Sequence, residues 1–445
     1  VHIGDCIGGQ VFFDDAMETE AVKPRYVDHG EVSQKVFKDP NTRILEINSK
    51  TGLYPLYMTY SVFAEKLQAY RDTHMLATEV PIKIQNEIWD EVLRNNIFVI
   101  CKTEMAKSIT KRTLRGFRQA KVNARYFEDL INKITNQPDL FIGKVNNGKL
   151  YWKNDKIEEH MKFNAIVGNP PYQIISHDGP QASQATPVYH LFVNIGERLS
   201  PNYLSMIMPA RWYAGGMGMS DFRQAMLAKY PISQLVDFPK SRDCFPTVDI
   251  AGGICYFLMS KDFHGVPTVI TRSGNTNNRD SRALNEFPIF VRDNIGVHII
   301  RKLNLQNNLS SVVYPISPFG LPTNTQGKDR PYKGCITLIG SKGKSYIDKG
   351  LSSNQQLTEQ YKVMIGQLNP DRGGVNSSIG GSNVTTKVTV LNPGEVTTAT
   401  YIILGGFNTY EEADNYASYI RTKFVRFLVL QTFANINNGE CRPAI

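Results

Sequence analysis

The residues best placed to do chemistry lie in one short run. Phe163-Asn164-Ala165-Ile166-Val167-Gly168-Asn169-Pro170-Pro171-Tyr172 reads as a buried strand running into a stiff polar and aromatic loop. An Asn side-chain oxygen and a proline carbonyl are two acceptors on adjacent residues. Together they can take both hydrogens of a planar conjugated amino group, draw its nitrogen toward tetrahedral geometry and aim the lone pair at an electrophile. Pro170 and Pro171 have fixed φ and no N–H, so no donor of their own competes for the carbonyl. The Tyr172 ring offers a face on which a flat heterocycle can stack. An ordinary turn is the bland alternative, since Asn-Pro initiates turns and Pro-Pro stiffens loops. Placement favours chemistry, because parallel sheets bind ligands at the carboxyl ends of their strands.

That loop resembles the catalytic motif of amino-DNA methyltransferases, and the likeness extends along the chain. From about Thr42 to Lys261 the sequence is similar to the N6-adenine DNA methyltransferases of restriction–modification systems, type II/IIG-like methylases with a target-recognition region. After Tyr172 come Pro187-Val188-Tyr189-His190 and Leu204-Ser205-Met206-Ile207-Met208-Pro209-Ala210-Arg211-Trp212. Gly215-Gly216, Asp221-Phe222-Arg223 and Cys244-Phe245-Pro246 follow, leading into Gly252-Gly253-Ile254-Cys255-Tyr256-Phe257-Leu258. The resemblance implies that Asn169, Pro170 and Pro171 hold the adenine amino group while Tyr172 stacks on an extruded base. It also gives Phe245 a second stacking position, against the plain alternative that Phe245 anchors its loop. Asn before Pro-Pro points to adenine rather than cytosine.

The resemblance further implies S-adenosylmethionine as cofactor, held around Ile44-Leu45-Glu46-Ile47-Asn48-Ser49-Lys50-Thr51-Gly52. A strand must there give way to a turn whose backbone approaches the ligand, which Gly permits. Glu46 matches the family's acid, Asn48 lies in the same turn and Gly52 matches the second glycine, whereas Lys50 stands where the first glycine is usual. On the next strand, Asn96 to Cys101, Cys101 replaces the acid expected to accept from the ribose hydroxyls. Glu104, a turn later, is the nearest carboxylate and the expected ribose contact in its place. Gly52→Val is expected to block the cofactor, and Cys101→Asp to strengthen its binding.

These motifs need a scaffold, and the resemblance implies an α/β fold: a doubly wound mixed sheet of the S-adenosylmethionine-dependent methyltransferase type, with a C-terminal α+β recognition domain. Residues 1–265 are expected to form the catalytic domain, with a cofactor half at about 42–125 and a catalytic half at about 160–261. Residues 266–445 are the expected DNA target-recognition domain, with Ser273-Gly274-Asn275-Thr276-Asn277-Asn278-Arg279-Asp280 as the boundary loop. Apolar spacing predicts helices over Tyr57 to Tyr70, Asn86 to Arg94, Lys102 to Arg125 and about Thr409 to Thr432. The third of these is strongly basic; it reads as a solvated outer helix or as a tracker of DNA phosphates.

The chain has 445 residues, enough for two domains, with 41% hydrophobic content to fill them. A net charge of +9 suits a polyanionic partner, taken here as double-stranded DNA. Arg330, Lys342, Lys344 and Arg372 are the candidate DNA contacts in the second module. Cys6, Cys101, Cys244, Cys255, Cys335 and Cys441 form no CxxC pair, and the eight histidines lack ligand spacing, so neither disulfides nor metal are expected. No apolar run approaches the roughly twenty residues of a membrane helix and no signal peptide is evident, which suggests a cytoplasmic protein. A chain that opens at Val1 reads as a piece of something longer; a nuclease domain or subunit, if there is one, lies outside this segment. Two other functions share these features: a non-catalytic DNA-recognition subunit on a degenerate methyltransferase fold, and a cytosine-N4 or RNA amino-methyltransferase.

Overall fold

The computed structural model describes residues 1–12, 23–76, 78–175, 185–214, 218–250, 252–287, 289–303, 311–367 and 384–431. Nine strands form its main sheet: β1 (Ile44–Ser49), β2 (Ile97–Cys101), β3 (Asn123–Tyr126), β4 (Ala165–Gly168), β5 (Tyr203–Pro209), β6 (Ile232–Phe238), β7 (Ile254–Ser260), β8 (Thr268–Ser273) and β9 (Thr276–Ser281). Their order is β9-β8-β6-β7-β5-β4-β1-β2-β3. Neighbours from β5 across to β3 are parallel, whereas β7 runs antiparallel to both β5 and β6. This is the doubly wound mixed sheet expected from the sequence.

Both faces of the sheet are covered, so its central strands are apolar runs rather than alternating ones. The two-residue period still sorts the side chains: Phe98 and Ile100 enter one layer with Leu45, Ile47 and Trp152. Ile97, Val99 and Cys101 enter the other, with Met58, Val62, Leu114 and Val122. The Leu53–Thr73 and Ile82–Asn95 helices lie where apolar spacing predicts them.

Three expectations are corrected. The basic segment from Lys102 is not one helix: it is helical only over Glu104–Arg115, Gly116 takes φ +59, and Asn123 opens the edge strand β3. The expected boundary loop is a hairpin: Ser273, Gly274 and Asn275 turn β8 into β9, both strands of the main sheet. The sheet therefore continues past residue 265, and Phe290 and Arg292 pack against it. The last predicted helix is two, Tyr410–Ile420 and Lys423–Gln431, with the Thr422 hydroxyl accepting from the Val425 N–H at the second start.

Beyond residue 311 the described chain forms two three-stranded sheets, one from Cys335–Gly340, Gly343–Asp348 and Glu395–Thr397, the other from Tyr361–Gly366, Thr389–Leu391 and Tyr401–Phe407. The Tyr410–Ile420 helix covers the second, opened by a Thr409/Glu412 capping box. This matches the α+β character expected of the C-terminal half. No helix among the described residues is long and apolar enough to cross a membrane.

Candidate active site

Parallel pairing of β1 and β4 places Glu46 opposite Val167, so the chain leaves both strands side by side at Asn48 and Asn169. Gly168 fits that approach, since a Cβ there would meet the Ile47 carbonyl at 3.0 Å. Just beyond, the Asn48 side-chain amide donates to the Asn169 main-chain carbonyl at 3.2 Å. Asn48 holds φ +75, a left-handed conformation that Asn tolerates better than most side chains.

The loop Asn169–Tyr172 forms one wall of an open pocket with a cavity volume of about 560 Å³. Phe245, Val248, Asp249 and Ile250 form another part of the lining, together with Lys50, Tyr189 and Arg211. The four residues singled out after β4 and the distant Phe245 are thus brought together. Phe245 also packs against the apolar layer with Cys244 and Ile250, so lining and anchoring coexist in one side chain. Its loop is organised around buried Ser241, whose hydroxyl donates to the Val248 carbonyl (3.0 Å) and accepts from the Ile250 N–H (2.8 Å). The Ser241 carbonyl accepts from the Phe245 N–H at 2.7 Å. The Tyr172 hydroxyl is buried with no hydrogen-bond partner among the described residues.

Arg211 and Asp249 are pocket residues that sequence reasoning missed. Arg211 sits in the quoted run just past β5, and a charged residue directly after an apolar strand was an available signal; it is half-buried. Asp249 carried none, since its position depends on the fold of the Ser241 loop. It pairs with Arg242 at 3.5 Å at the surface.

The expected cofactor residues divide. Glu46 is 6% exposed and its Oε2 has no hydrogen-bond partner among the described residues. Burial pushes its carboxyl up to about 8, against a hydrogen bond from Ser49 and the Lys50 charge. An orphaned, enclosed carboxyl oxygen within β1 is an acceptor that a cationic or hydroxyl-bearing cofactor group would satisfy. Gly52 has φ +81 and starts the Leu53–Thr73 helix; a Cβ there would meet Thr110 Cα at 3.1 Å. A Val at 52 therefore acts by pushing the turn off the Glu104–Arg115 helix rather than by filling ligand space.

Cys101 and Glu104 fit less well. The Cys101 thiol is fully enclosed and pushed up to about 12 by burial, with Thr110 as hydrogen-bond partner. An Asp at 101 would put a carboxylate into the layer containing Ala106, Leu114 and Ala124, so the gain in cofactor affinity expected from Cys101→Asp is not supported. Glu104 is exposed in the first turn of its helix and already engaged, with Lys107 Nζ at 2.5 Å and Tyr126 as a second partner. Neither lines the pocket of Asn169.

Of the proposed DNA contacts, Arg330 and Lys342 are exposed, and Lys342 lies in the turn between Gly340 and Gly343. Lys344 is 3.3 Å from Glu395. Lys328 pairs with Tyr346 by a bridge, which brings the Arg330 segment beside the same hairpin. Arg372, Gly215 and Gly216 lie outside the described residues.

A family model described as Eco57I restriction-modification methylase matches residues 95–245. A protein of Mycoplasma pneumoniae described as an uncharacterized adenine-specific methylase is 34% identical over 146 residues, 32% of this chain and 34% of that protein. The match thus spans about a third of the relative's length. Among solved structures, the type IIL restriction-modification enzyme MmeI in complex with DNA aligns with 82% of this chain and 57% of its own, at 8% identity and a TM-score of 0.45. The type ISP enzyme LlaGI, a nuclease-deletion mutant with a DNA substrate mimic, aligns with 89% of this chain and 43% of its own, at 10% identity and a TM-score of 0.45. The family resemblance read from the sequence is borne out: residues 95–245 match a restriction-modification methylase family, and a 146-residue stretch is similar to an adenine-specific methylase.

Proposed function

We propose that the chain is a site-specific DNA adenine-N6 methyltransferase, using S-adenosylmethionine on an adenine extruded from double-stranded DNA. The observation that carries this reading is the shared pocket, in which the polar loop Asn169–Tyr172 meets the aromatic Phe245 across a cavity of about 560 Å³. A flipped nucleobase needs such a combination: acceptors for its amino group and aromatic faces to offset the stacking it loses in the duplex.

In this reading the Asn169 side-chain oxygen and the Pro170 carbonyl accept the two amino hydrogens, and Tyr172 stacks on the ring. The bound cofactor supplies an electrophilic methyl group. Glu46 and Asn48 hold it at the end of β1, and Glu104 is retained as the ribose contact only if it gives up Lys107. The tie from Asn48 to Asn169 fixes the distance between the two half-sites, which is what direct displacement requires of a protein that offers no covalent nucleophile. Arg330, Lys342, Lys344 and Arg372 are proposed to meet DNA phosphates or base edges from the second module.

A second reading, a DNA-binding protein that no longer methylates, is favoured by one observation: the position expected to bind ribose is the enclosed Cys101. Titration calorimetry with S-adenosylmethionine separates the two, since only the enzyme gives a saturable heat. Sequencing of native DNA from a host expressing the protein, read for modified bases, should then show N6-methyladenine at one recurrent site. Unmodified DNA despite cofactor binding would reject the proposed reaction.

A further inference from the structure

The pocket wall bearing Phe245 belongs to the loop between β6 and β7, whose two ends must be held together if Phe245 is to face Tyr172. The β6–β7 ladder pairs the strands as far as Phe238 opposite Ile254, and a buried side chain adds a further tie across the ends. Arg292 donates from Nε and Nη2 to the two carboxylate oxygens of Asp237, at 2.8 and 2.7 Å, on the strand entering the loop. Its Nη1 donates to the Gly252 carbonyl, on the segment leaving the loop, at 2.6 Å. Asp237 is fully enclosed and also accepts from the Tyr213 hydroxyl at 3.1 Å. Tyr213 follows Pro209 and Arg211, both of which line the pocket. The ends are packed so closely that a Cβ at Gly253, φ +80, would run into the Phe238 carbonyl and lie 2.8 Å from Arg292 Nη2. The Ala210 N–H donates to the Gly253 carbonyl at 3.0 Å, so the exit from β5 is tied to the same point.

We infer that Arg292 is a positioning residue for base capture: it clamps the two ends of the Phe245 loop and the exit of β5 into one geometry. This rests on the reading of the pocket as the base-binding site. The planar fork of Arg suits the task, because it satisfies a bidentate carboxylate and a carbonyl at once, which a Lys ammonium cannot match in geometry. The clamp comes from a segment after β9, so the catalytic pocket depends on chain that follows the methylase motifs by some distance.

The test is a double-mutant cycle of Arg292→Lys with Phe245→Ala on the whole chain, reading kcat and KM for methyl transfer and 2-aminopurine fluorescence for flipping. Arg292→Lys should lower kcat roughly tenfold or more while leaving KM for S-adenosylmethionine unchanged, and should add little to Phe245→Ala. Arg282→Lys is the control: Arg282 is also buried, but it donates to Asn294 and the Val291 carbonyl and has no hydrogen bond to the loop among the described residues. It should leave kcat unchanged in the folded protein. If Arg292→Lys does not fold, the pair Arg292→Met with Asp237→Asn removes both buried charges and should show the same non-additivity. The position of the loop is read without activity by fluorine NMR of 4-fluorophenylalanine at 245, whose resonance should move or broaden with Arg292→Lys and not with Arg282→Lys. Additive effects on kcat, or an unmoved fluorine resonance, would overturn the inference. A wild type that methylates nothing while the resonance moves as expected would instead reject the enzymatic reading and leave the clamp standing.

Discussion

Asn48 and Asn169 are joined by a hydrogen bond of 3.2 Å from side chain to main chain, across two adjacent parallel strands. The turn proposed to hold the cofactor and the loop proposed to hold the base are therefore one mechanical unit. Asn48→Gly keeps the left-handed backbone available and removes the donor, along with the amide proposed to hold the cofactor, whose affinity is therefore measured beside kcat. It should leave the fold intact and lower kcat several-fold, since a single neutral hydrogen bond contributes about 1 kcal/mol. Steady-state kinetics beside a thermal melt checks this; an unchanged kcat would mean the bond is incidental.

Glu46 gives a pH signature. Its folded carboxyl titrates at about 8, well above the ordinary range near 4.5, because burial opposes the charge. Between those values the folded state holds a proton that the unfolded state has released, so stability falls as pH rises through that window and levels off above it. Glu46→Gln lacks this loss. Melting temperatures should thus diverge in favour of the variant as pH rises from about 5 to 8, and parallel curves would show that Glu46 is not the titrating group. If the carboxylate pairs with a cationic part of the cofactor, wild-type affinity should strengthen with pH up to about 8, opening a gap over Glu46→Gln, whose affinity should not vary with pH in that range.

Cys101→Asp should destabilise the protein by ~2–4 kcal/mol through a buried, poorly paired carboxylate, without improving cofactor affinity. Chemical denaturation and calorimetry on the same variant measure both. A stable variant with tighter binding would show that the side chain at 101 can turn out of the apolar layer to reach a ribose.

The Cys335–Asp348 hairpin and the Arg330 segment beside it make unequal predictions for their cations. Arg330→Gln and Lys342→Gln should each flatten the dependence of log K for DNA on log salt by about 0.9, the value of one phosphate contact. Lys344→Gln should change it less, because Glu395 at 3.3 Å already offsets that charge. Equal slopes in all three variants and the wild type would remove the hairpin from the DNA interface.

Much of this site was legible because its signals are local. A buried apolar strand ending in Asn-Pro-Pro-Tyr carries its own geometry, and the aromatic beside Pro246 was placed by motif order. Arg211 and Asp249 were not found, since their meeting depends on how the Ser241 loop closes. The hairpin after residue 267 was read as a boundary because β9 lies at the edge of the sheet, and its polar composition, Thr276 to Ser281, is that of a loop. Arg292 was invisible for a related reason: nothing near it in sequence names Asp237, 55 residues earlier, as its partner. The basic run after Lys102 was read as one long helix because its apolar spacing continues past Gly116, where the backbone turns left-handed and the helix stops.

The central claim is that Asn169 prepares the amino nitrogen for attack. Transfer of labelled methyl from S-adenosylmethionine to duplex DNA should be lost in Asn169→Ala by at least about a hundredfold in kcat, the scale of removing one transition-state contact. DNA affinity and cofactor affinity, measured on the same preparation, should stay within a few-fold of wild type. Methylation by Asn169→Ala at the wild-type rate would contradict the account.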